Sequence, residues 1–301
     1  IAVRPLTLQI RSAAPAWLAF APALFVFLWA TGFIGARLTA GEAEPFSFLF
    51  VRCVLVASIL AVAALLAGAP WPSRRAAGHA LVVGALIHGA YLGLVFWSIT
   101  HGLPAGVAAL IVGLQPLLTA LLAAPLLGER ITARHWLGLA VGLLGIALVV
   151  LPKLTFTAQG ITPATVAGAV AATISIAIGS IFQKTHVTGL DLRSGNAVQF
   201  VGAAMLVGVV ALASERLEIN WTGEVVFAMA WLVLVLSIGA TSLLYLMIRH
   251  GEVSRIAGLF YLVPAVTAGL AWLLFGETLV PVQILGMAVC TGAVMLVTRR
   301  P

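Results

Sequence analysis

Long runs of apolar residues, separated by short polar segments, recur along the whole chain. The runs are continuously apolar and do not alternate with a period of two, which predicts helices rather than the strands of a membrane barrel. Each run approaches the roughly 20 residues that a helix needs to cross the hydrocarbon core of a bilayer. The pattern predicts ten spanning helices, at residues 16–37, 46–67, 79–100, 104–127, 135–151, 164–183, 193–213, 224–248, 253–275 and 281–298.

The composition excludes a water-soluble fold. Of the 301 residues, 62% are hydrophobic and only 8% are charged, whereas a soluble domain carries about 25% charged residues. The mean hydropathy of +1.16 excludes a disordered chain as well. We therefore expect an all-α membrane protein whose main surroundings are the lipid bilayer.

The net charge of +7 does not indicate a nucleic-acid partner. The basic residues stand singly in short loops, and no basic stripe is present that could follow a phosphate backbone. With the N-terminus in the cytoplasm, the inner segments contain twelve of the sixteen Lys and Arg residues and the outer segments only three. This bias predicts a multi-pass protein of the cell inner membrane with both termini cytoplasmic.

The two halves of the chain resemble each other at an offset of about 148 residues. The segment Leu114–Ala120, LQPLLTA, aligns with Leu262–Ala268, LVPAVTA, and the alignment continues to the Gly-Glu pairs at 128–129 and 276–277. Each half contains five predicted helices, and an odd number turns the second copy upside down in the membrane. The sequence predicts two inverted five-helix repeats, residues 1–152 and 153–301, an arrangement typical of secondary transporters.

This repeat resembles the drug/metabolite transporter superfamily, and within it the ten-helix EamA-type transporters. The resemblance rests on the helices of Pro116 and Pro264, on Trp29 in the first span and on Arg52 in the second. It implies alternating access around a central cavity lined mainly by helices 3, 4, 8 and 9 and parts of 1 and 6, with helices 5 and 10 outside. The branch that exports aromatic and other amino acids fits the chain, because the expected cavity is aromatic and nearly uncharged.

His88 is a titratable side chain near the middle of a span, where an ionisable residue is a functional candidate by default. It could bind a substrate carboxylate or carry a proton. The alternative is a neutral histidine that forms hydrogen bonds between helices. Tyr91 lies three residues further along and shares its helix face.

Further aromatic and polar side chains recur at helical spacing on four other spans. Stacking would hold a flat side chain, while hydroxyl and amide groups would replace water around its polar end. The alternative is that these groups only tie neighbouring helices together. With His88 and Tyr91, the predicted substrate-binding residues are Trp29, Gln115, Thr119, Thr241, Tyr245 and Tyr261.

Pro116 and Pro264 are expected in the middle of helices 4 and 9, where each removes a backbone hydrogen bond and bends the helix. The bend could be a hinge that lets half a helix move as a gate, or a static kink for packing. Arg52 could extend to the outer interface, bond an acid of the outer loop or meet a substrate carboxylate, and we expect a structural role. Gln199 takes its place in the second repeat.

Gly138 and Gly142 form a GxxxG pattern, which indicates close packing of helix 5 or a dimer face. We expect a monomer or a weak homodimer. Cys53 and Cys290 match no metal-binding or disulfide pattern, and no cofactor is expected.

The sequence predicts a transporter and not an enzyme, because it contains no recognisable catalytic motif. Our leading hypothesis is a secondary transporter that exports small amphipathic metabolites, with aromatic and neutral amino acids first. No Asp, Glu or Lys lies clearly at mid-span, which favours facilitated diffusion or exchange over sodium coupling. The alternatives are an exporter of cationic compounds, which would be better served by a carboxylate in the membrane, an intramembrane enzyme, or a channel.

Overall fold

The computed structural model describes residues 20–127, 133–156, 161–243, 247, 262–277 and 280–298. Over these residues the helices follow the predicted order, with bounds that differ from the predicted ones by a few residues where both ends are described. They are α1 (Ala21–Leu38), α2 (Pro45–Leu66), α3 (Arg74–Thr100), α4a (Ala105–Val112), α4b (Gln115–Leu127), α5 (Ala133–Phe156), α6 (Pro163–His186), α7 (Leu192–Ser214), α8 (Gly223–Leu243), α9 (Val263–Phe275) and α10 (Pro281–Thr298).

Six of these helices, α1, α2, α3, α6, α7 and α8, are long and apolar enough to cross a membrane. Shorter apolar helices occupy the places of the other four predicted spans. The described residues contain one isolated β-bridge and no strand. The all-α membrane fold is therefore confirmed.

The main contacts between helices are symmetric with respect to the two halves of the chain: each of these contacts has a counterpart between the equivalent helices. The most extensive contacts join α5 to α10 and α2 to α7, which are equivalent helices of the two halves. Helix α1 packs on α8 and α9, and its counterpart α6 packs on α3 and α4b. This reciprocal packing is what two copies of one five-helix unit produce when they face each other.

Glycines bring neighbouring helices into close contact. A Cβ atom on Gly84 of α3 would collide with the backbone of Gln199 in α7, and one on Gly202 of α7 would collide with the backbone of Leu81 in α3. Between α5 and α10, a Cβ atom on Gly145 would lie only 2.8 Å from the Gly286 carbonyl oxygen. Small residues permit this approach because no side chain separates the backbones.

The GxxxG segment is used within the chain. Gly142 faces Leu114, Leu117 and Ala293, and its carbonyl oxygen accepts a hydrogen bond from the Cys290 thiol at 3.5 Å. The described part of α5 therefore packs closely on a neighbour through this face, as the first of the two sequence hypotheses proposed. The dimer hypothesis stays a prediction.

Pro116 is not in the middle of a continuous helix, and this part of the prediction is wrong. A turn at Gly113 and Leu114 separates α4a from α4b, so that Pro116 is the second residue of α4b. Pro264 is the second residue of α9 as described, Val263–Phe275; because residues 248–261 lie outside the described residues, its place in the middle of a longer helix stays a prediction. The first turn of a helix accepts proline because its backbone N–H groups have no partner within the helix.

The loop after α1 is joined to the loop after α7. Ala43 and Ile219 form the isolated antiparallel bridge. The Glu44 carboxylate accepts backbone N–H groups of Arg216 at 3.0 Å and Glu218 at 2.8 Å. These hydrogen bonds lower the pKa of Glu44 below its ordinary value of 4.5.

Glu215, in the loop after α7, binds in turn to the backbone that follows Glu44. Its carboxylate accepts the backbone N–H groups of Phe46 at 2.9 Å and Ser47 at 2.7 Å, at the start of α2. An anion is favourable there, since the N-terminus of a helix carries a partial positive charge. We call Glu44, Glu215 and the backbone groups that they bind the loop clamp, which ties the two halves together on the face predicted to be outside.

Candidate functional site

A cavity of ≈ 260 Å³ lies between the two halves. Five predicted binding residues line it together: Trp29, His88, Tyr91, Gln115 and Thr241. Thr119 is not part of the described lining, although its hydroxyl is buried without a hydrogen-bond partner. Tyr245 and Tyr261 lie outside the described residues.

The walls of the cavity are mostly aromatic and aliphatic. Phe33, Phe96 and Phe200 add rings to those of Trp29 and Tyr91. A side pocket of ≈ 30 Å³, lined by Trp29, Tyr91 and Gln115 among others, extends to Pro116 and Val263. Pro116 therefore lines the accessible space directly, whereas Pro264 is buried in the packing of α9.

His88 belongs to a π-helical segment of α3, Ala85–Ala90. Its ring stacks on Phe200 of α7, with ring centroids 4.3 Å apart and an interplanar angle of 12°. The side chain of Gln199, the preceding residue on α7, lies close to the imidazole. These contacts fix the plane of the imidazole at the wall of the cavity.

A second π-helical segment, Trp231–Ala240, occupies the corresponding part of α8. A carbonyl oxygen of each segment accepts from a serine hydroxyl: Leu86 from Ser175 of α6 at 3.0 Å, and Leu232 from Ser237 of the same segment at 2.9 Å. Such segments shift the helix register by one residue and are frequent at functional sites. Here they present His88 on one side of the cavity, and Leu236 and Ser237 on the other.

Arg52 lines the cavity from α2 and is only 3% exposed. Its Nη2 atom donates to the Ser237 hydroxyl oxygen at 3.0 Å, whereas its Nε and Nη1 atoms are buried without a hydrogen-bond partner. Two of the alternatives for Arg52, the outer interface and an acid of the outer loop, are not observed, because the side chain is buried and neither described ion pair involves it.

Three further polar side chains line the cavity that the sequence reasoning did not select: Ser180, Gln183 and Ser237. Ser180 accepts a hydrogen bond from the Gln115 side chain at 3.3 Å and so ties α6 to α4b. Ile176, Ser180 and Gln183 follow one another at helical spacing on α6, which was a usable signal. Ser237 gave a signal of the same kind, because it lies four residues before Thr241; its contact with Arg52 could not be predicted.

The lining also corrects which helices form the cavity. The expected helices 3, 4, 8, 1 and 6 all contribute, and α2 and α7 join them through Arg52 and Phe200. Over the described residues α9 reaches only the side pocket, through Val263, and α5 and α10 contribute nothing, as expected.

The cavity can enclose a small solute, but the described residues assemble no metal site. Its described lining contains no acidic side chain, one buried guanidinium and several neutral hydrogen-bonding groups. No group of three His, Cys, Asp or Glu side chains in the described part of the chain could hold a metal ion. Such a surface suits reversible binding of a small solute with a polar end and a flat apolar end.

Comparison with known proteins gives a consistent picture. The profile of the EamA-like transporter family matches residues 16–151 and again residues 163–299. The chain is 26% identical to the uncharacterized inner membrane transporter YedA of Escherichia coli strain K12 over 280 residues, covering 92% of this chain and 88% of that protein.

Two further relatives have names that mention amino acids. A probable terminal-alkyne amino-acid exporter of Streptantibioticus cattleyicolor is 27% identical and covers 92% of each chain. A probable amino-acid metabolite efflux pump of Escherichia coli strain K12 is 26% identical, covering 87% of this chain and 88% of that protein. One solved crystal structure shares the fold with a TM-score of 0.61 and 19% identity, covering 94% of this chain and 97% of that one.

Proposed function

Because the chain belongs to the EamA-like transporter family, we propose that it exports small amphipathic metabolites, foremost neutral and aromatic amino acids, across the inner membrane. It is a multi-pass transporter that acts on small molecules. The amino-acid substrates, the direction of export and the roles of individual residues are the proposed part.

The cavity is the observation that carries this proposal. It combines rings of Trp29, Phe33 and Tyr91 with neutral hydrogen-bonding groups of Gln115 and Thr241. Rings stack on a flat side chain, and hydroxyl and amide groups bind a polar end. Its volume of ≈ 260 Å³ is slightly below the roughly 300–1,000 Å³ of small-molecule pockets, which favours single metabolites over large drugs.

The charge of the cavity favours amino acids over cationic compounds. Arg52 is positive, and the described lining provides no acid that could neutralise a cation. A cationic solute would meet a like charge in a medium of low dielectric constant, where repulsion is strong. Two relatives are named as probable exporters or efflux pumps of amino-acid compounds, which supports both the solute class and the direction.

We propose that transport proceeds by alternating access. The two halves, residues 1–152 and 153–301, would rock around the bound solute, and the bends at Pro116 and Pro264 would act as hinges. The loop clamp would hold the outer side closed while the cavity is open to the cytoplasm, with both termini on that side. The proposed functional unit is a monomer or a weak homodimer that needs no cofactor.

Counterflow in proteoliposomes tests this function. Vesicles containing the purified protein would be loaded with unlabelled L-phenylalanine, L-leucine or a cationic dye, and uptake of the same labelled compound would be measured. We expect saturable counterflow of the amino acids without a sodium gradient. Uptake of the dye alone would overturn the amino-acid assignment, strict sodium dependence would overturn facilitated exchange, and single-channel currents would indicate a channel.

A further inference from the structure

We propose that Arg52 is a carboxylate-binding subsite, and that the transporter selects solutes with a free carboxylate group. This inference rests on the proposed function, since it assigns a recognition element to the same cavity. The guanidinium would hold the carboxylate on the α2–α8 side, while the apolar part of the solute lies against the aromatic walls.

The hydrogen bonding of Arg52 leaves room for such a ligand. A guanidinium has five N–H donors in a planar fork, and the described structure provides one partner, the Ser237 hydroxyl oxygen at 3.0 Å. The Nε and Nη1 atoms have no partner although they are buried. The remaining donors suffice for the two-point contact that arginine forms with carboxylates.

The positive charge of Arg52 is also uncompensated within the described structure. Every described acidic side chain lies in a loop or at a helix end. The ion pairs found there join Arg37 to Glu277 and Arg193 to Asp191, and neither involves Arg52. An unpaired charge in an apolar interior is costly, and an anion entering the cavity would remove that cost.

The second repeat has no arginine at the position equivalent to Arg52, so the cavity contains this subsite on one side. Arg52 on α2 corresponds to Gln199 on α7, and each faces a π-helical segment of the other half. Arg52 meets Ser237, whereas Gln199 meets His88. The two equivalent positions thus present a cation on one side and a neutral amide on the other. A solute with one carboxylate therefore has one preferred orientation in the cavity.

The first test uses the unaltered protein and three compounds with the same ring. L-phenylalanine and 3-phenylpropionate contain a carboxylate, whereas 2-phenylethylamine contains only the amine. Binding of each would be measured on purified protein by equilibrium dialysis of the labelled compound. We expect the two carboxylates to bind at least about 10-fold more tightly than the amine, since hydrogen bonds to a charged group contribute that much. Equal affinity for all three would overturn the subsite.

The second test uses variants of Arg52. R52Q gives α2 the residue that α7 has at the equivalent position, and it should weaken binding of L-phenylalanine about 10- to 100-fold while binding of 2-phenylethylamine does not weaken. R52K keeps the charge but loses the planar fork, and should fall between the two. R193Q is the matched control, because Arg193 pairs with Asp191 outside the cavity, and it should bind like the unaltered protein. If R52Q does not fold, the three-compound comparison decides.

The outcomes separate the subsite from the proposed function. Amino-acid counterflow with no preference for carboxylates and no effect of R52Q would leave the function standing and overturn the subsite. Arg52-dependent binding of 3-phenylpropionate without counterflow of any amino acid would support the subsite and overturn the amino-acid function. If none of the three compounds binds, the subsite is wrong.

Discussion

Gly113 and Pro264 lie against each other at the crossing of α4 and α9: a Cβ atom on Gly113 would be 3.1 Å from the Pro264 Cγ atom. Gly113 belongs to the turn before Pro116, and Pro264 is the equivalent proline of the second half. The turn before Pro116 is therefore in direct contact with the equivalent proline of the second half. A movement of this turn must be accommodated by Pro264.

We expect Gly113→Ala to lower the free energy of unfolding by about 1–3 kcal/mol, the usual cost of overpacking, and to slow amino-acid counterflow. Gly269→Ala on α9 is the control, because nothing lies within 4 Å of an added Cβ atom there. Thermal unfolding of the purified protein and counterflow rates would be compared. Unchanged stability and counterflow rate in Gly113→Ala would show that a methyl group fits between Gly113 and Pro264, and would contradict this prediction.

Gly84→Ala should prevent correct packing of α3 on α7, since the added Cβ atom would collide with the Gln199 backbone. The control, Gly78→Ala, is on the same helix and meets nothing within 4 Å. There, alanine should be neutral or stabilise by up to about 1 kcal/mol through its higher helix propensity. Size-exclusion profiles and melting temperatures measure both. A monodisperse Gly84→Ala protein of normal melting temperature would contradict the observed backbone contact.

His88→Ala removes the stacked ring from the cavity wall and should reduce L-phenylalanine counterflow about 2- to 10-fold, the value of one aromatic contact. Expression and monodispersity should be retained, because the half-buried ring lines the cavity and its removal leaves the backbone contacts between α3 and α7 in place. His101→Ala is matched in chemistry but changes an exposed histidine in a loop, and it should leave counterflow unchanged. Equal counterflow in both variants would remove His88 from the binding site.

The loop clamp predicts a pH dependence through Glu44. Its pKa is lowered because the carboxylate accepts N–H groups of Arg216 and Glu218, so the ionised form stabilises the folded protein. This contribution is complete well above the ordinary pKa of 4.5 and is lost as the pH falls through the lowered value. Melting temperatures of the unaltered protein should therefore fall more steeply in acid than those of Glu44→Gln.

Glu42→Gln in the same loop is the control for this titration, and it should follow the unaltered protein. At neutral pH, Glu44→Gln should melt at a lower temperature than both, since a neutral amide is a weaker acceptor than a carboxylate. If the three proteins show the same acid profile, the Glu44 contacts do not contribute to stability.

The fold could be predicted from the sequence because its signals are local. Apolar runs of spanning length mark each helix, and the segment around Pro116 recurs around Pro264. The same helical spacing placed Trp29, His88 and Gln115 on faces that the structure brings to one cavity. Hydropathy and spacing contain this information without knowledge of which helices are neighbours.

The environment of Arg52 could not be predicted, because it depends on a partner 185 residues away. Ser237 reaches Arg52 from a π-helical segment whose register has no signature in the sequence. The break before Pro116 was missed for a related reason. The Ile111 carbonyl oxygen accepts from the Leu114 N–H at 3.2 Å and the Thr173 hydroxyl at 3.4 Å, and the second of these partners lies on another helix.

The backbone contacts of α3 and α7 at Gly84 and Gly202 restrict how these two helices can move against each other. Each glycine sits against the opposite main chain, so lengthwise slippage of α3 along α7 would push larger neighbouring side chains into that chain. Tilting about the contact needs no such intrusion. The two helices can therefore pivot about this contact, and their ends, which lie farthest from it, would be displaced most.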